Sequence, residues 1–246
     1  LRRASWIVTA YLVAYIAAMP LAGRASDRFG LPGLMIGALF VFAIGSVVCG
    51  AAGSLEILVL GRVIQGAGAG AILPVATAGA SHLYQGHARS RALGFIGAAT
   101  FLGMAIGPVL GALILEHLQL RDALASAGIW GGPLPDLLTP AWRWVFYITA
   151  PLAILAAIYV WAAAPGWDVE PGSSRLDGLG AVLFSVALTS GLLAVTLIGD
   201  EPGDLPVIPI ATLIAIVSGV LAVRHMLRTP EPFRDLHLFR DRVFSG

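Results

Sequence analysis

The chain has 246 residues, of which 58% are hydrophobic and 12% are charged, and its mean hydropathy is +0.86. These values lie far outside the range of soluble globular domains and indicate lipid as the solvent. The net charge is only +1 and every basic residue is an arginine, so no clustered basic face for nucleic acid is expected. The single cysteine, Cys49, excludes an internal disulfide and a cysteine metal cluster.

The first residues imitate a secretory signal, because two arginines precede an apolar run that ends in small residues. We reject that interpretation, since the run from Ala4 to Gly23 is long enough to span a bilayer and further spans follow it. The chain does not begin with Met. We therefore expect a fragment of a longer protein.

Seven apolar stretches recur along the chain, each near the length of about 20 residues that crosses a hydrocarbon core as a helix. They run from Ala4 to Gly23, Gly33 to Gly53, Leu55 to Ala80, Ala92 to Leu115, Trp144 to Ala164, Gly178 to Gly199 and Leu205 to Val223. The sequence thus predicts an all-α polytopic membrane protein.

The distribution of arginines predicts the orientation of these spans. One side of the predicted membrane collects Arg24, Arg28, Arg89, Arg91, Arg175, Arg224, Arg228, Arg234, Arg240 and Arg242. The other side has Arg2, Arg3, Arg121 and Arg143. By the positive-inside rule the arginine-rich side is cytoplasmic, and we expect a multi-pass protein of a bacterial plasma membrane.

The longest predicted outer segment runs from Glu116 to Trp142. Its Asp122-Ala-Leu-Ala-Ser run, followed by Gly-Pro and Pro-Asp pairs, suggests a short interfacial helix and then turns. A role at a substrate exit and a variable surface insertion both remain open. Aromatic residues around Trp144 are typical of the belt that anchors a span at the membrane interface.

The first inner segment, from Gly23 to Gly30, is predicted to join two spans through a tight, charged turn. Gly30 supplies backbone freedom there. Asp27 can accept hydrogen bonds from a neighbouring helix N-terminus, and Arg28 can pair with a carboxylate or with anionic headgroups. An ordinary positive-inside loop has the same composition, so this segment alone leaves both interpretations open.

The third span carries Arg62 eight residues after Ser54, about 12 Å along the helix. A guanidinium at this depth is costly unless it faces the bundle interior or water, which makes it a functional candidate. A structural arginine bonded to backbone carbonyls is the alternative. Gln65, Gly66 and Gly70 follow it, and their loose match to a dinucleotide fingerprint is discarded because the strand-turn-helix context is missing.

The fourth span places Gly103, Gly107 and Gly111 four residues apart and therefore on one helical face. Pro108 removes a backbone hydrogen bond and is expected to kink the span. Such a face by itself indicates only that another helix packs closely there.

Taken together, in this order and on consecutive spans, these segments resemble the signature motifs of the major facilitator superfamily. Gly23 to Gly30 matches the motif between the second and third helices. Arg62 to Gly70 matches the fourth-helix motif, and Gly94 to Gly111 looks like the antiporter motif of the fifth. The chain departs from the pattern where Leu31-Pro32 replaces two basic residues and where Ala112 replaces a glycine.

Within that family, Trp142 to Pro151 looks like the start of the sixth helix in the fourteen-helix drug and proton antiporter branch. The segment from Trp6 to Gly30 is most similar to mycobacterial triacylglyceride exporters that work with a lipid-binding lipoprotein. The resemblance implies helices 2–6 of the N-terminal bundle, lacking its first helix, in residues 1–164, a cytoplasmic linker in 165–177, two inter-bundle helices in 178–224 and a lead-in to the C-terminal bundle in 225–246.

The resemblance also implies alternating access, with a proton gradient driving export of lipophilic drugs or of lipids. Arg62, together with Gln65, Gly66 and Gly70, would lie beside the central cavity and modulate the protonation of a carboxylate. In the family that carboxylate is often on the first helix. The proton carrier is therefore not among the residues that we can name.

Two groups of residues are implied in gating. The loop motif, with Gly23, Asp27, Arg28 and Gly30, would hold the cytoplasmic side closed. The flexible helix with Gly103, Gly107, Pro108 and Gly111 would seal against the second bundle. Candidates for lining the substrate path are the aromatic residues Tyr11, Tyr15, Phe95 and Phe101, which suit a drug or a lipid chain equally.

Two further function classes are weighed against transport. An integral membrane enzyme would need ionisable or nucleophilic clusters near one membrane face, and a receptor or scaffold would have no use for Arg62. His82 and His87 lie close in sequence, but no carboxylate or cysteine accompanies them. We expect no enzyme activity, metal or cofactor, and as partners the bilayer, a lipophilic substrate, protons and a lipid-binding lipoprotein.

Overall fold

The computed structural model describes residues 2–117, 137–167, 177–198 and 207–229. In these ranges the helices are α1 (Arg2–Phe29), α2 (Leu31–Ala51), α3 (Leu55–Leu83), α4 (Gly86–His117), α5 (Ala141–Tyr147), α6 (Thr149–Ala163), α7 (Gly178–Ile198) and α8 (Val207–Arg228), with a 3-10 turn at Ala164–Gly166. Seven helical segments of the described residues are long and apolar enough to cross a membrane, as the sequence predicts.

The turn between α1 and α2 is shorter than predicted. The helix α1 continues from Gly23 to Phe29, and only Gly30 separates it from α2. No residue of this segment breaks a helix, and Ser26 Oγ donates to the Gly23 carbonyl at 2.6 Å. Gly30 has φ of +72°, a conformation that favours glycine, and Pro32 fits the first turn of α2. The predicted tight turn over Gly23 to Gly30 is therefore wrong in its extent.

The helix α3 lies between α1 and α2, and its glycines allow backbone contact on both sides. A methyl group on Gly66 or Gly70 would collide with the carbonyl oxygens of Tyr11 and Tyr15 on α1. On the other side, Gly68 packs against the backbone of α2 at Phe42. Close approach through small residues is how membrane helices associate without a hydrophobic driving force between them.

The fifth predicted span consists of two consecutive helices, α5 and α6, with a turn at Ile148. Pro151 explains the interruption, because it has no N–H to donate to the Tyr147 carbonyl one helical turn earlier. Beyond this turn, α6 packs Ala150, Ala153 and Ala157 into a core cluster with α2 and with Val75 of α3.

The last two described helices, α7 and α8, pack on each other through small residues such as Ala187 against Gly219 and Gly191 against Ala215. The helix α7 also contacts α1. Asp177 caps α7 by accepting from the Gly180 N–H at 2.8 Å, and its Oδ1 lies 2.7 Å from Nε2 of His225 on α8. These contacts fasten the predicted inner ends of the two helices together.

Three predictions fall outside the described residues. The structure does not describe the greater part of the predicted outer segment from Glu116 to Trp142 or of the predicted linker 165–177, and the lead-in 225–246 is described only to residue 229. The division of the chain into those units stays a prediction.

Candidate functional site

The guanidinium of Arg62 lies between two aromatic rings of neighbouring helices. Its Cζ is 5.0 Å from the ring centroid of Tyr11 on α1 and 5.2 Å from that of Phe146 on α5. Both distances are in the range of favourable cation–π contacts. Within the described ranges, the only hydrogen bond of this side chain goes to Gln65, and no carboxylate pairs with it.

The Gln65 side chain is the polar neighbour that orients Arg62. Nη1 of Arg62 donates to Gln65 Oε1 at 3.0 Å, and Gln65 Nε2 in turn donates to the Ser46 hydroxyl on α2 at 2.8 Å. Gln65 is 3% exposed and Ser46 is fully buried. Because the amide oxygen faces the guanidinium, a flipped amide would oppose its own N–H groups to those of Arg62.

The hydrogen-bonded chain continues to a third element. The Thr149 hydroxyl, at the start of α6, lies 3.1 Å from the Ser46 hydroxyl and donates to the Phe146 carbonyl at 2.7 Å. A polar chain thus leads from Arg62 through Gln65, Ser46 and Thr149 to the backbone of Phe146. The ring of that same residue contacts the guanidinium, so the chain closes on itself.

Sequence reasoning singled out Arg62 and Gln65 but missed Ser46, Thr149 and Phe146. A signal existed for Ser46, because a hydroxyl in the middle of a long apolar span needs a partner. Nothing in the sequence indicates that this partner is Gln65, nor that Thr149 is brought to the same point from 103 residues away.

The predicted glycines Gly66 and Gly70 lie on the face of α3 that packs against α1. They follow Gln65 on the helix and bring the α1 backbone close enough for Tyr11 to reach Arg62. Their described role is helix packing, which positions the arginine site without contact to the guanidinium.

The predicted gating glycines of the fourth span have no close neighbour among the described residues. A methyl group on Gly103, Gly107 or Gly111 would meet no atom within 4 Å, and α4 contains no buried residue. The role of this face and of Pro108 therefore stays a prediction. So do the roles of Asp27 and Arg28, whose side chains lie outside the described part of the chain.

The predicted substrate-lining aromatics divide into two pairs. Tyr11 and Tyr15 are half-buried and stack on each other, with ring centroids 6.0 Å apart. Phe95 and Phe101 are exposed on α4, at 76% and 72% of their surface. The structure thus brings only the tyrosine pair to the arginine site.

A second arginine, Arg143, lies near the predicted outer end of the same bundle. Its Nη1 donates to the Gly50 carbonyl at 2.6 Å, and its guanidinium lies 4.7 Å from the Trp142 ring centroid. The Gly50 carbonyl is one of the acceptors left unpaired at the C-terminal end of α2. Arg143 therefore has a structural role, because it supplies a donor to the C-terminal end of α2.

In the described residues, no group of three or more His, Cys, Asp or Glu side chains is placed to hold a metal ion. His82 belongs to the last turn of α3 and His87 to the first turn of α4. The chemistry available near Arg62 is therefore that of one cation, a polar chain of amide and hydroxyl groups, and aromatic faces.

The sequence pattern described as Major Facilitator Superfamily matches residues 2–230. The chain belongs to the major facilitator superfamily. With seven apolar spans among its described residues it is a multi-pass plasma-membrane protein, and the predicted fold class is confirmed.

Three relatives of this major facilitator chain come from mycobacteria. A triacylglyceride transporter of Mycolicibacterium hassiacum is 38% identical over 222 residues, covering 90% of this chain and 37% of the relative. One from Mycolicibacterium smegmatis is 38% identical over 216 residues, covering 88% and 34%. A probable triacylglyceride transporter of Mycobacterium leprae is 36% identical over 225 residues, covering 90% and 40%. The predicted similarity to this group is confirmed, and the chain spans 34–40% of the length of these relatives.

Proposed function

We propose that the protein to which this chain belongs is a secondary active transporter that exports a neutral lipid of the triacylglyceride class by alternating access, driven by a proton gradient. Three relatives carry the name triacylglyceride transporter, or probable triacylglyceride transporter. No catalytic residue is assigned to this transporter, and no group of three or more His, Cys, Asp or Glu in the described residues is placed to hold a metal ion.

The observation that carries the proposal is the charge of Arg62. Its guanidinium has no carboxylate partner among the described residues and is held by one amide and two aromatic rings. A cation kept inside a helical bundle without a neutralising partner is costly, so a static structural role does not account for it. It is suited to act on a carboxylate that gains and loses a proton, because a nearby cation favours the ionised form.

The choice of a neutral lipid over a cationic drug also follows from this charge. The guanidinium occupies one face of the Tyr11 ring and one face of the Phe146 ring. A cationic substrate at this place would be repelled by the positive charge of Arg62 and would compete with it for the aromatic faces that it covers. A neutral lipid is not repelled by this charge and does not depend on a free aromatic face. Its acyl chains are compatible with the apolar helices around the site.

Gating belongs to the same proposal. Asp27 and Arg28 close the cytoplasmic side in the outward-open state, with Gly30 as the turn between α1 and α2. The face of α4 with Gly103, Gly107 and Gly111 seals against a second bundle, and Pro108 gives that helix its flexibility. A lipid-binding lipoprotein receives the exported lipid.

The test uses the full-length protein in proteoliposomes. Movement of a fluorescent triacylglycerol and of a cationic dye is followed in parallel, with and without an imposed proton gradient. We expect gradient-stimulated movement of the lipid. Movement of the dye alone would replace the lipid by a cationic drug as substrate, and movement of neither would refute transport of both classes.

The role of Arg62 is tested in the same assay. Arg62→Ala is expected to abolish gradient-stimulated transport, and Arg62→Lys to retain only part of it, because lysine keeps the charge but lacks the planar guanidinium. Arg91→Ala, which removes an exposed arginine of α4, is the control. Full activity of the Arg62→Ala protein would contradict the assignment.

The gate is tested separately. Asp27→Asn is expected to shift the full-length carrier toward the inward-open state, because a neutral amide holds the cytoplasmic closure less tightly than a carboxylate. Spectroscopic distances between labels placed across the cytoplasmic side measure the shift. Distances identical to those of the unmodified carrier would remove Asp27 from the gate.

A further inference from the structure

The Arg62 guanidinium is held from two directions by the same small group of residues. On one side Gln65 accepts its hydrogen bond, and on the other the Phe146 ring lies against its face. The Gln65 amide is positioned by Ser46, and the Phe146 backbone is bonded by Thr149. Since the two hydroxyls are 3.1 Å apart, both supports depend on one junction between α2 and α6.

The protons of this junction can satisfy every member at once. Gln65 donates to Ser46, the Thr149 hydroxyl shares its proton between the Phe146 carbonyl and the Ser46 hydroxyl, and the Ser46 proton is in reach of the Phe42 carbonyl at 2.9 Å. Hydroxyl protons rotate to suit such a network. A fully satisfied buried network gives its members a defined geometry, whereas a half-satisfied one loses it.

We infer that Ser46 and Thr149 are positioning residues for Arg62, which act through Gln65 and Phe146 and set the efficiency of coupling to the proton gradient. The inference rests on the proposed function for its transport readout. Neither hydroxyl contacts the guanidinium itself, so their effect passes through the two neighbours. Removal of the Thr149 hydroxyl takes one donor from the Phe146 carbonyl and leaves Ser46 without its partner on α6.

Thr149 allows a matched pair of variants. Thr149→Val removes the hydroxyl at nearly constant shape, and Thr149→Ser retains it. Ser46→Ala is the second variant and removes the junction from the α2 side. Ser218→Ala is the control, because the Ser218 hydroxyl is also buried but, within the described part of the chain, bonds only to carbonyls of its own helix, such as Ile214.

Two measurements on the full-length protein test the inference. The first is the ratio of gradient-driven to gradient-independent lipid movement in proteoliposomes, which a merely structural role would leave unchanged. The second needs no transport: the rate at which phenylglyoxal, an arginine reagent, modifies Arg62, followed by mass spectrometry of the peptide. Thr149→Val and Ser46→Ala are expected to lower the ratio of gradient-driven to gradient-independent lipid movement. They are also expected to raise the rate of Arg62 modification by about fivefold, the factor that corresponds to one net hydrogen bond.

Thr149→Ser and Ser218→Ala should match the unmodified protein in both measurements. A Thr149→Val protein that matches it too would overturn the inference, as would equal losses in Thr149→Val and Thr149→Ser. If the unmodified protein moves no lipid, the proposed function fails and the modification rates alone decide. Should Thr149→Val not fold, Ser46→Ala decides in its place.

Discussion

The packing of α1 on α3 through Gly66 makes a quantitative prediction for the substitution Gly66→Ala. The added methyl group would lie 3.1 Å from the Ala14 side chain and closer still to the Tyr11 carbonyl oxygen, whereas ordinary contact begins at 3.4 Å. Both obstacles belong to a helix that cannot rotate away like a flexible side chain. The two helices must therefore move apart by roughly 1 Å to restore van der Waals separation.

The cost of this movement can be separated from the intrinsic preference of alanine for helices. Overpacking of a close contact costs about 1–3 kcal/mol, and a backbone obstacle places Gly66→Ala toward the upper end. Alanine gains about 1 kcal/mol over glycine in a helix interior. Gly37→Ala on α2 has the same gain without the collision, because no atom lies within 4 Å of its added methyl group. We expect the free energies of unfolding of the Gly66→Ala and Gly37→Ala proteins to differ by about 2–3 kcal/mol.

The assay is thermal unfolding of the full-length protein in detergent, with Gly37→Ala as the matched control. The Gly66→Ala protein should melt below the unmodified protein, and Gly37→Ala at or above it. Gly70→Ala, whose methyl group would meet the Tyr15 carbonyl, should behave like Gly66→Ala. One separation of the helices relieves both collisions. The variant with both Gly66→Ala and Gly70→Ala should therefore lose less stability than the sum of the losses of the two single variants. A Gly66→Ala protein as stable as Gly37→Ala would refute the described packing.

Two further predictions concern the ends of helices. Arg143→Ala should lower the free energy of unfolding by about 1–3 kcal/mol, because it leaves the Gly50 carbonyl without its donor. The control, Arg89→Ala, removes an exposed arginine and should change the melting temperature little. Equal melting temperatures of the two variants would contradict this role of Arg143. Asp177→Ala should lower the free energy of unfolding by about 1 kcal/mol or more, because it removes the α7 cap and the contact to His225. Asp177→Asn should lower it less, because the amide oxygen still caps the helix. A lower melting temperature for Asp177→Asn than for Asp177→Ala would rule out capping as the role of Asp177.

Several features of the chain follow from its residues alone. The number of spans is a matter of length and hydropathy, because a helix in lipid must satisfy its own backbone and therefore needs about 20 apolar residues. Arg62 stands out by the same logic, since a charge deep in such a span requires an explanation. The family follows from the order of the motifs on consecutive spans, and the match over residues 2–230 confirms it.

Other features were decided only by the tertiary structure. Hydropathy does not specify how each helix is rotated about its axis, and that rotation selects the neighbours of every polar group. Gly66 and Gly68 lie two residues apart on α3 yet pack on different helices, α1 and α2. The predicted extent of the first inner turn was also wrong: the helix continues to Phe29, because the charged residues of this segment do not stop a helix.

The arginine site shows the physical reason most directly. Periodicity places Gln65 one turn after Arg62, so their contact is local and could be expected from the sequence. Thr149 lies 103 residues from Ser46 in the chain and 3.1 Å from it in space. That contact exists because small residues let α6 approach α2 closely, and a sequence shows which residues are small but not which helices they bring together.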